Sequence, residues 1–168
     1  LFLDRMVSRF HAFAQPSSIH PPENLPLADH LKNLCTNHGL SISWKGPSPI
    51  LLTDTILWEA AMDNLVRNAA QAGATSLSAT FSQQETHGEL FLEDDGPGIP
   101  TENREKIWLP FFTTREKGSG MGLPMVRKIL HDLDCRISLA DARTEAGNNP
   151  GTRFEIIVPA SFLIPEHA

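Results

Sequence analysis

Hydrophobic residues recur along this chain with two different periods, which predicts one domain that contains both helices and strands. Helical spacing predicts three helices, over residues 28–38, over residues 53–72, and from the glycines at 118–122 to about residue 133. Alternation of apolar and polar residues predicts five strands, over residues 40–44, 75–82, 89–93, 135–140 and 151–158. A polar loop over residues 142–150 is expected to join the last two strands.

The longest of these helices, over residues 53–72, has the clearest pattern. Thr53 or Asp54 is its expected N-cap residue, and Gly73 is expected to end it. Seven of its residues are expected to form one wide buried stripe: Ile56, Leu57, Ala60, Ala61, Leu65, Ala69 and Ala72. A stripe of this width indicates a helix that packs against the core of the domain.

Both ends of the chain are expected to lie outside the main domain. The expected division is the end of a helix over residues 1–16, a proline-rich linker over 17–26, the domain over 27–160 and a tail over 161–168. Pro16 is expected to stop the first helix, and Pro159 to end the last strand before a frayed terminus. The chain begins without Met, so a fragment of a longer parent protein is expected.

Composition narrows the class of protein without identifying its function. The chain has 168 residues, 40% of them hydrophobic and 20% charged, which is ordinary for a soluble globular domain. The net charge of −6 and the absence of a basic stripe argue against a nucleic-acid partner. Cys35 and Cys135 are expected to be reduced thiols in a cytoplasmic protein. No apolar run has the length of a membrane span, so any anchor is expected in other parts of the parent.

Two glycine-rich turns enclose a polar stretch over residues 93–123, in which residues 101–106 predict a short helix capped by Thr101. The second turn, residues 118–122, leads into a helix, and such a turn offers free N–H groups to a phosphate. The carboxylate of Asp94 in the first turn would repel phosphate but can accept a hydrogen bond from the amino group of a nucleobase. We therefore expect a nucleotide between the turns, although Asp94 and Asp95 could simply form a turn with Gly96.

Three amides share one face of the long helix. Asn64, Asn68 and Gln71 lie at positions i, i+4 and i+7. Beside an apolar stripe, each amide needs a hydrogen-bond partner. Either the amides cap backbone groups of the core, or an amide oxygen binds Mg²⁺, which prefers oxygen ligands and is often shared with substrate phosphates.

Five short motifs occur together in one order: 64–69, 94–99, 110–114, 118–123 and 151–154. Their sequences are Asn-Leu-Val-Arg-Asn-Ala, Asp-Asp-Gly-Pro-Gly-Ile, Pro-Phe-Phe-Thr-Thr, Gly-Ser-Gly-Met-Gly-Leu and Gly-Thr-Arg-Phe. The set resembles the N, G1, F, G2 and G3 boxes of the catalytic and ATP-binding domain of sensor histidine kinases, within the class that includes gyrase, Hsp90 and MutL ATPases. The resemblance implies an α+β fold, a two-layer α/β sandwich (Bergerat fold) with a mixed five-stranded sheet packed on three helices.

The same resemblance implies a site for ATP and Mg²⁺. Asn68 would bind the metal, Asn64 would lie near the phosphates, and Asp94 would bind the adenine amino group. The remaining residues expected to contact the nucleotide are Gly96, Gly98, Ile99, Phe112, Thr114, Arg115, Lys117, Gly118, Ser119, Gly120, Met121, Gly122, Leu123 and Thr152. Phe111 and Phe112 would belong to a mobile lid over the ATP.

Three positions bear on how closely the chain follows this family. Trp108 stands where the family usually has Phe, which we interpret as a tolerated exchange of one large apolar residue for another. Gln71 stands where many members have a basic residue near the phosphates, and Arg115 and Lys117 are expected to compensate. Asn64 stands where gyrase-like and MutL-like ATPases usually carry a catalytic glutamate. Because an amide cannot take a proton, this favours phosphoryl transfer over hydrolysis.

The resemblance also implies partners. The substrate would be a histidine on the dimerisation hairpin of a homodimeric parent, with onward transfer to an aspartate of a response regulator; this chain alone is expected to be a monomer. Residues 1–16 would be the stub of the second hairpin helix. His11 lacks a following acidic residue, so the phosphoacceptor is expected upstream. Two alternatives stay open, a non-catalytic nucleotide-responsive module and a free-standing ATPase.

Overall fold

A computed structural model describes residues 7–8, 11, 13–15, 17–115, 118–141 and 150–164. The strands are β1 Glu23–Pro26, β2 Ser41–Lys45, β3 Ile50–Thr53, β4 Ser76–Gln83, β5 His87–Asp94, β6 Arg136–Ala140 and β7 Arg153–Pro159. The helices are α1 Leu27–Asn37, α2 Thr55–Gln71 and α3 Gly122–Asp132. Short 3-10 turns lie at Thr101–Asn103, Lys106–Trp108 and Ala160–Phe162.

Five strands form one mixed sheet in the order β2-β4-β5-β7-β6. The β2–β4 pair is parallel, and the other pairs are antiparallel. The register of the central pair aligns Leu90 with Ile156 and Leu92 with Phe154, so apolar side chains from neighbouring strands meet on the buried face. The predicted fold, a mixed five-stranded sheet with three helices, is confirmed.

Helix α2 has the predicted extent, but its buried face is rotated from the predicted stripe. The buried residues are Trp58, Ala61, Met62, Leu65, Val66 and Ala69. Ile56 is 59% exposed and Ala60 is also exposed, so both were wrongly placed in the stripe. Trp58, Met62 and Val66 recur every four residues and direct the larger side chains inward. The prediction weighted alanines, which are compatible with either face, and omitted Trp58, which is fully buried.

Asp54, rather than Thr53, caps the N-terminus of α2. Its Oδ1 accepts hydrogen bonds from the backbone N–H groups of Ile56, at 3.1 Å, and Leu57, at 3.0 Å. These bonds satisfy two of the donors that the first turn of a helix leaves unpaired. At the other end Gly73, with φ +89°, follows the helix as predicted.

Two small strands lie outside the predicted set. β1, within the predicted linker, pairs antiparallel with β3, and Leu25 and Leu51 lie opposite each other in the core. The predicted helix over residues 101–106 is instead a pair of 3-10 turns, and Thr101 makes no capping bond there. Proline at position 100 and the short polar run favour isolated turns over a continuous helix.

Segments near both ends of the described chain, residues 17–20 and 161–164, contact the rest of the domain. Ser17 Oγ donates to Asp132 Oδ2 at 2.6 Å, and the backbone N–H of His20 donates to Asp54 Oδ2 at 2.6 Å. Leu163 bridges to Leu51, so residues 161–164 of the predicted frayed tail lie against β3. The loop predicted over residues 142–150 lies outside the described residues except for Pro150.

Cys35 and Cys135 are both free and buried. Burial raises the pKa of the Cys35 thiol to about 11, and burial together with the nearby charge of Asp134 raises that of Cys135 to about 12. Both thiols therefore stay protonated near neutral pH. In the described ranges no helix has both the length and the apolar composition needed to cross a bilayer.

Candidate functional site

A cleft of about 630 Å³ lies between α2, the turn after β5, the segment before α3 and the start of β7. It brings together residues that are far apart in the sequence. The predicted site residues that line it are Asn64, Asn68, Asp94, Gly98, Ile99, Phe112, Thr114, Arg115, Gly118, Ser119, Gly120, Gly122, Leu123 and Thr152. A volume of this size is within the usual range of small-molecule sites.

Two of the described residues predicted for the site, Gly96 and Met121, do not line the cleft. Gly96 is buried beneath Asp94, and its N–H donates to Asp94 Oδ1 at 2.9 Å. Met121 is 2% exposed and belongs to the buried interior, because the chain turns inward there to begin α3. Lys117 lies outside the described residues.

Asp94 is held at the end of β5 by the backbone around it. Its Oδ1 accepts hydrogen bonds from the N–H groups of Gly96 and Thr152, the second at 3.1 Å. Burial raises the pKa of the Asp94 carboxyl, and the hydrogen bonds from Gly96 and Thr152 oppose that shift without cancelling it. The carboxyl group is therefore fixed in orientation and partly removed from water, as a specific hydrogen-bond acceptor must be.

The neighbouring Asp95 has a different role. Its two oxygens accept four hydrogen bonds, from the N–H and hydroxyl groups of Thr75 and Ser76, between 2.7 and 3.0 Å. Partial burial would raise the pKa of Asp95, but these bonds outweigh it and hold the pKa well below its usual range. Asp95 thus ties the turn after β5 to the start of β4 and does not line the cleft.

Asn64 is engaged within its own helix. Its Nδ2 donates to the carbonyl oxygen of Ala60 at 2.8 Å, and its Oδ1 accepts from Arg67. Arg67 is in turn paired with Asp63, whose other oxygen lies 2.7 Å from His38 Nε2. The internal-capping alternative therefore describes part of what Asn64 does.

Asn68 differs from Asn64 because its side-chain amide has no hydrogen-bond partner in the described part of the chain. The amide faces the start of α3. A Cβ added at Gly122 would lie 3.5 Å from Asn68 Nδ2 and 3.6 Å from Asn64 Oδ1. The missing side chain at Gly122 thus leaves space above both amides, and the Asn68 oxygen is available to a ligand.

The loop before α3 is joined to the F-box turn. The N–H of Phe111 donates to the carbonyl oxygen of Gly120 at 2.9 Å. Gly120 has φ +64°, and a Cβ there would lie only 2.3 Å from the carbonyl carbon of Phe111. Only glycine fits this conformation and this close approach. The second glycine-rich turn therefore has its shape fixed by a contact with the F-box turn.

Comparison with known proteins identifies the family. A family model described as histidine kinase-, DNA gyrase B-, and HSP90-like ATPase matches residues 53–161. This chain belongs to that family. Sensor histidine kinase CpxA of Escherichia coli strain K12 is 36% identical over 87 residues, which are 48% of this chain and 19% of that protein.

Two solved structures have the same fold as this chain. The mycobacterial sensor histidine kinase MprB superposes with a TM-score of 0.69 at 23% identity, over 84% of this chain and 97% of that one. Full-length ShkA, solved in complex with AMPPNP, superposes with a TM-score of 0.74 at 19% identity, over 97% of this chain and 36% of that one. The family model and the similarity to CpxA confirm the predicted family, and these two structures confirm the fold. The chain spans less than half the length of the curated relatives it matches.

Several residues that line the cleft were not proposed as site residues from the sequence: Arg67, Asn103, Ile107, Thr113 and Phe154. Arg67 lies one turn from Asn64 and could have been found by helical spacing alone. Phe154 meets the ring of Trp108 edge-on, with centroids 6.0 Å apart. No local pattern marks that pair, since the two residues come from different elements.

Proposed function

We propose that this chain is the catalytic, ATP-binding domain of a sensor histidine kinase. The whole protein would transfer the γ-phosphoryl group of ATP to a histidine outside this chain, and from there to an aspartate of a response regulator. The observation that carries this proposal is the cleft that Asp94, Asn68 and the glycines from 118 to 122 share. Binding of a nucleotide with its metal ion needs three things: a hydrogen-bond acceptor for the base, a free amide oxygen for the metal, and a loop of backbone N–H groups for the phosphates.

The cleft residues fit ATP at both ends. Asp94 would accept the adenine amino group, with Ile99, Ile107 and Phe154 as the apolar wall around the base. The N–H groups of residues 118–122 and the N-terminus of α3 would receive the phosphates. AMPPNP, which the ShkA structure contains, is an analogue of ATP.

The donors around Asn68 also fit Mg²⁺. The free Asn68 amide oxygen would supply one ligand, and phosphate oxygens and water the others. The metal would neutralise charge on the phosphates, as it does in phosphoryl-transfer enzymes generally. A neutral amide at this position avoids adding a negative charge beside the triphosphate.

Asn64 favours transfer to a protein over hydrolysis. A hydrolase needs a general base near the attacking water, and an amide cannot accept a proton. Here Asn64 also bonds Ala60 and Arg67, so its amide is oriented rather than free. Positioning and charge stabilisation are sufficient for phosphoryl transfer to a histidine supplied from another domain.

The test mixes this chain with the upstream hairpin of its own parent protein, Mg²⁺ and γ-labelled ATP. We expect acid-labile label on the hairpin, no label on this chain alone, and no steady phosphate release. Nucleotide binding without transfer would favour the non-catalytic alternative, and steady release of phosphate by this chain alone would favour an ATPase.

His11 has a separate control. Acid-labile label on this chain that disappears in His11→Ala would show that the phosphoacceptor is here rather than upstream. The parent is proposed to be a homodimer, because the hairpin that supplies the histidine is the expected dimerisation element. Its attachment to a membrane, if any, would be through parts of the parent other than this chain.

A further inference from the structure

Arg115 comes from the loop before the second glycine-rich turn but lies against the end of α2. Its Nη1 donates to Gln71 Oε1 at 2.7 Å, and its Nη2 donates to the backbone oxygen of Asn68 at 3.0 Å. Gln71 and Arg115 are 44 residues apart in the sequence. The two bonds hold a guanidinium group at the rim of the cleft, beside the residue proposed to bind Mg²⁺.

The end of a helix is a favourable place for this cation. The carbonyl groups of the last turn carry partial negative charge, and a nearby positive side chain is stabilised there. The Asn68 carbonyl also accepts from Ala72, so Arg115 uses the second lone pair of that oxygen. Two fixed hydrogen bonds suit a planar guanidinium better than a lysine ammonium group.

Gln71 contributes no charge of its own. Its amide oxygen accepts one hydrogen bond from Arg115. No carboxylate is among the described partners of Arg115, so these partners do not neutralise its positive charge. An acidic residue at position 71 would neutralise the guanidinium, and a basic residue would repel it. A neutral acceptor of this length can therefore orient the cation and preserve its charge.

We infer that Gln71 is a positioning residue, which acts by holding Arg115 so that its guanidinium group binds the phosphates of the nucleotide. The inference rests on the proposed function and deepens it, because it assigns the source of positive charge at the phosphate end. The cation comes from the loop and is fixed by the helix. The two bonds also join this loop residue to α2.

The test is a double-mutant cycle on nucleotide affinity, with Gln71→Ala, Arg115→Gln and the combination, measured by calorimetry with ATP, ADP and adenosine. We expect Gln71→Ala to weaken ATP binding by about fivefold, and Arg115→Gln by about tenfold or more, as for loss of a charged hydrogen bond. The combined variant should be no weaker than Arg115→Gln alone, since Gln71 acts only through Arg115.

The size of the loss should increase with the number of phosphates, and adenosine affinity should stay at the wild-type value. The exchange Gln71→Arg with Arg115→Gln should recover part of the ATP affinity, because the cation and the amide then trade places. Gln71→Glu provides a further comparison: it keeps an acceptor but neutralises the cation, so ATP binding should fall while adenosine binding does not.

The inference and the proposed function fail in different ways. ATP binding by the wild type with an unchanged affinity in Gln71→Ala would overturn the inference alone. Additive losses in the combined variant, or equal losses for adenosine and ATP, would also overturn it. A wild type that binds none of ATP, ADP and adenosine would overturn the proposed function itself.

Discussion

Asp94 and Asp95 are adjacent carboxylates with separate roles, and their environments allow the roles to be tested. In Asp94→Asn the amide can keep the bonds from Gly96 and Thr152, but it presents a donor where the adenine amino group also donates. We expect nucleotide affinity to fall by roughly 10-fold to 100-fold, the effect of an unpaired buried polar group. Calorimetric titration with ATP is the measurement. An unchanged affinity would show that Asp94 does not bind the adenine amino group.

The same variant should not lose stability. Because the folded protein raises the pKa of Asp94, the ionised carboxylate opposes folding at neutral pH. Replacing the carboxylate by a neutral amide removes that cost, so the midpoint of thermal unfolding at pH 7 should stay level or rise. A lower midpoint would mean that the charge of Asp94 supports the fold.

Asp95→Asn is the matched variant and should behave in the opposite way. The pKa of Asp95 is depressed in the folded protein, so its charge stabilises the fold above the unfolded pKa of about 3.9 and loses that effect at lower pH. We expect Asp95→Asn to lower the free energy of unfolding by about 0.5–1 kcal/mol at pH 7, since the carboxylate is exposed and screened. Denaturant unfolding should show this difference shrinking as the pH falls below about 4 and vanishing only when the pH passes the depressed pKa of folded Asp95, with ATP affinity unchanged at pH 7.

Gly120 can be compared with Gly73, because both have positive φ but only one is enclosed. A Cβ at Gly120 would lie 2.3 Å from Phe111, whereas Gly73 has nothing within 4 Å of that position. Alanine should cost about 1–2 kcal/mol of backbone strain at either site. Only Gly120→Ala should also weaken ATP binding, by about tenfold or more, because the loop must move. Equal ATP affinity in both variants would show that the phosphates do not bind at the turn that contains Gly120.

At the scale of elements, α2 determines most of the site. It contributes Asn64, Asn68 and Gln71 to the cleft and buries Trp58 on the opposite side. Its N-cap, Asp54, is 3% exposed, and it also accepts the N–H of His20. Burial of Asp54 would raise its pKa, but the hydrogen bonds from His20 and Leu57 outweigh it and lower the pKa. The cap should therefore stay ionised through the neutral range.

The contribution of the cap can be separated from that of the linker contact. Asp54→Ala removes both and should destabilise the domain by about 0.5–2 kcal/mol. Asp54→Ser keeps a capping oxygen but is too short to hold His20, so it should recover most of the loss. Chemical denaturation at pH 7 measures both variants. Equal destabilisation by serine and alanine would show that the bond to His20, rather than the cap, is what stabilises α2.

At the scale of the whole molecule, residues 17–20 connect the two helices that border the cleft. Ser17 donates to Asp132 and accepts from Lys128 on α3, while His20 contacts the cap of α2. This segment was predicted as a linker, and the domain boundaries proposed from the sequence stay predictions. Because this segment bonds to α3 and to the N-cap of α2, a shift of either helix should also move the segment.

This contact predicts a change in protease sensitivity. In the combined variant Ser17→Ala with His20→Ala, the segment over residues 17–22 should be cleaved several-fold faster by a non-specific protease, because the Ser17 hydroxyl bonds and the 3.1 Å contact of His20 Nδ1 with Asp54 are lost, although the backbone N–H of residue 20 can still donate to Asp54. The unfolding midpoint should change little, since neither residue is buried in the core. Thr36→Ala is a suitable control, because that hydroxyl bonds only within α1. Unchanged cleavage would show that the segment is held by other contacts.

Local patterns were enough to predict most elements, and most of the residues named for the nucleotide site line one cleft. Helical spacing, the cap before α2 and the alternation in β4 depend on hydrogen bonds and burial within a few residues, so the sequence contains them directly. The five motifs were recognisable for the same reason: each is short, and their order is part of the chain. These observations predicted both the sheet with three helices and the residues around the cleft.

Other features required the folded chain, because they depend on which distant segments become neighbours. Asp94 and Asp95 have different roles because they have different hydrogen-bond donors. Thr152, just before β7, donates to Asp94, whereas Thr75 and Ser76, at the start of β4, donate to Asp95. The contact of Arg115 with Gln71 forms only when the loop returns to the end of α2. The β1–β3 pair and the docking of residues 161–164 likewise have no local pattern, since burial of such segments is decided by the surface the rest of the domain presents.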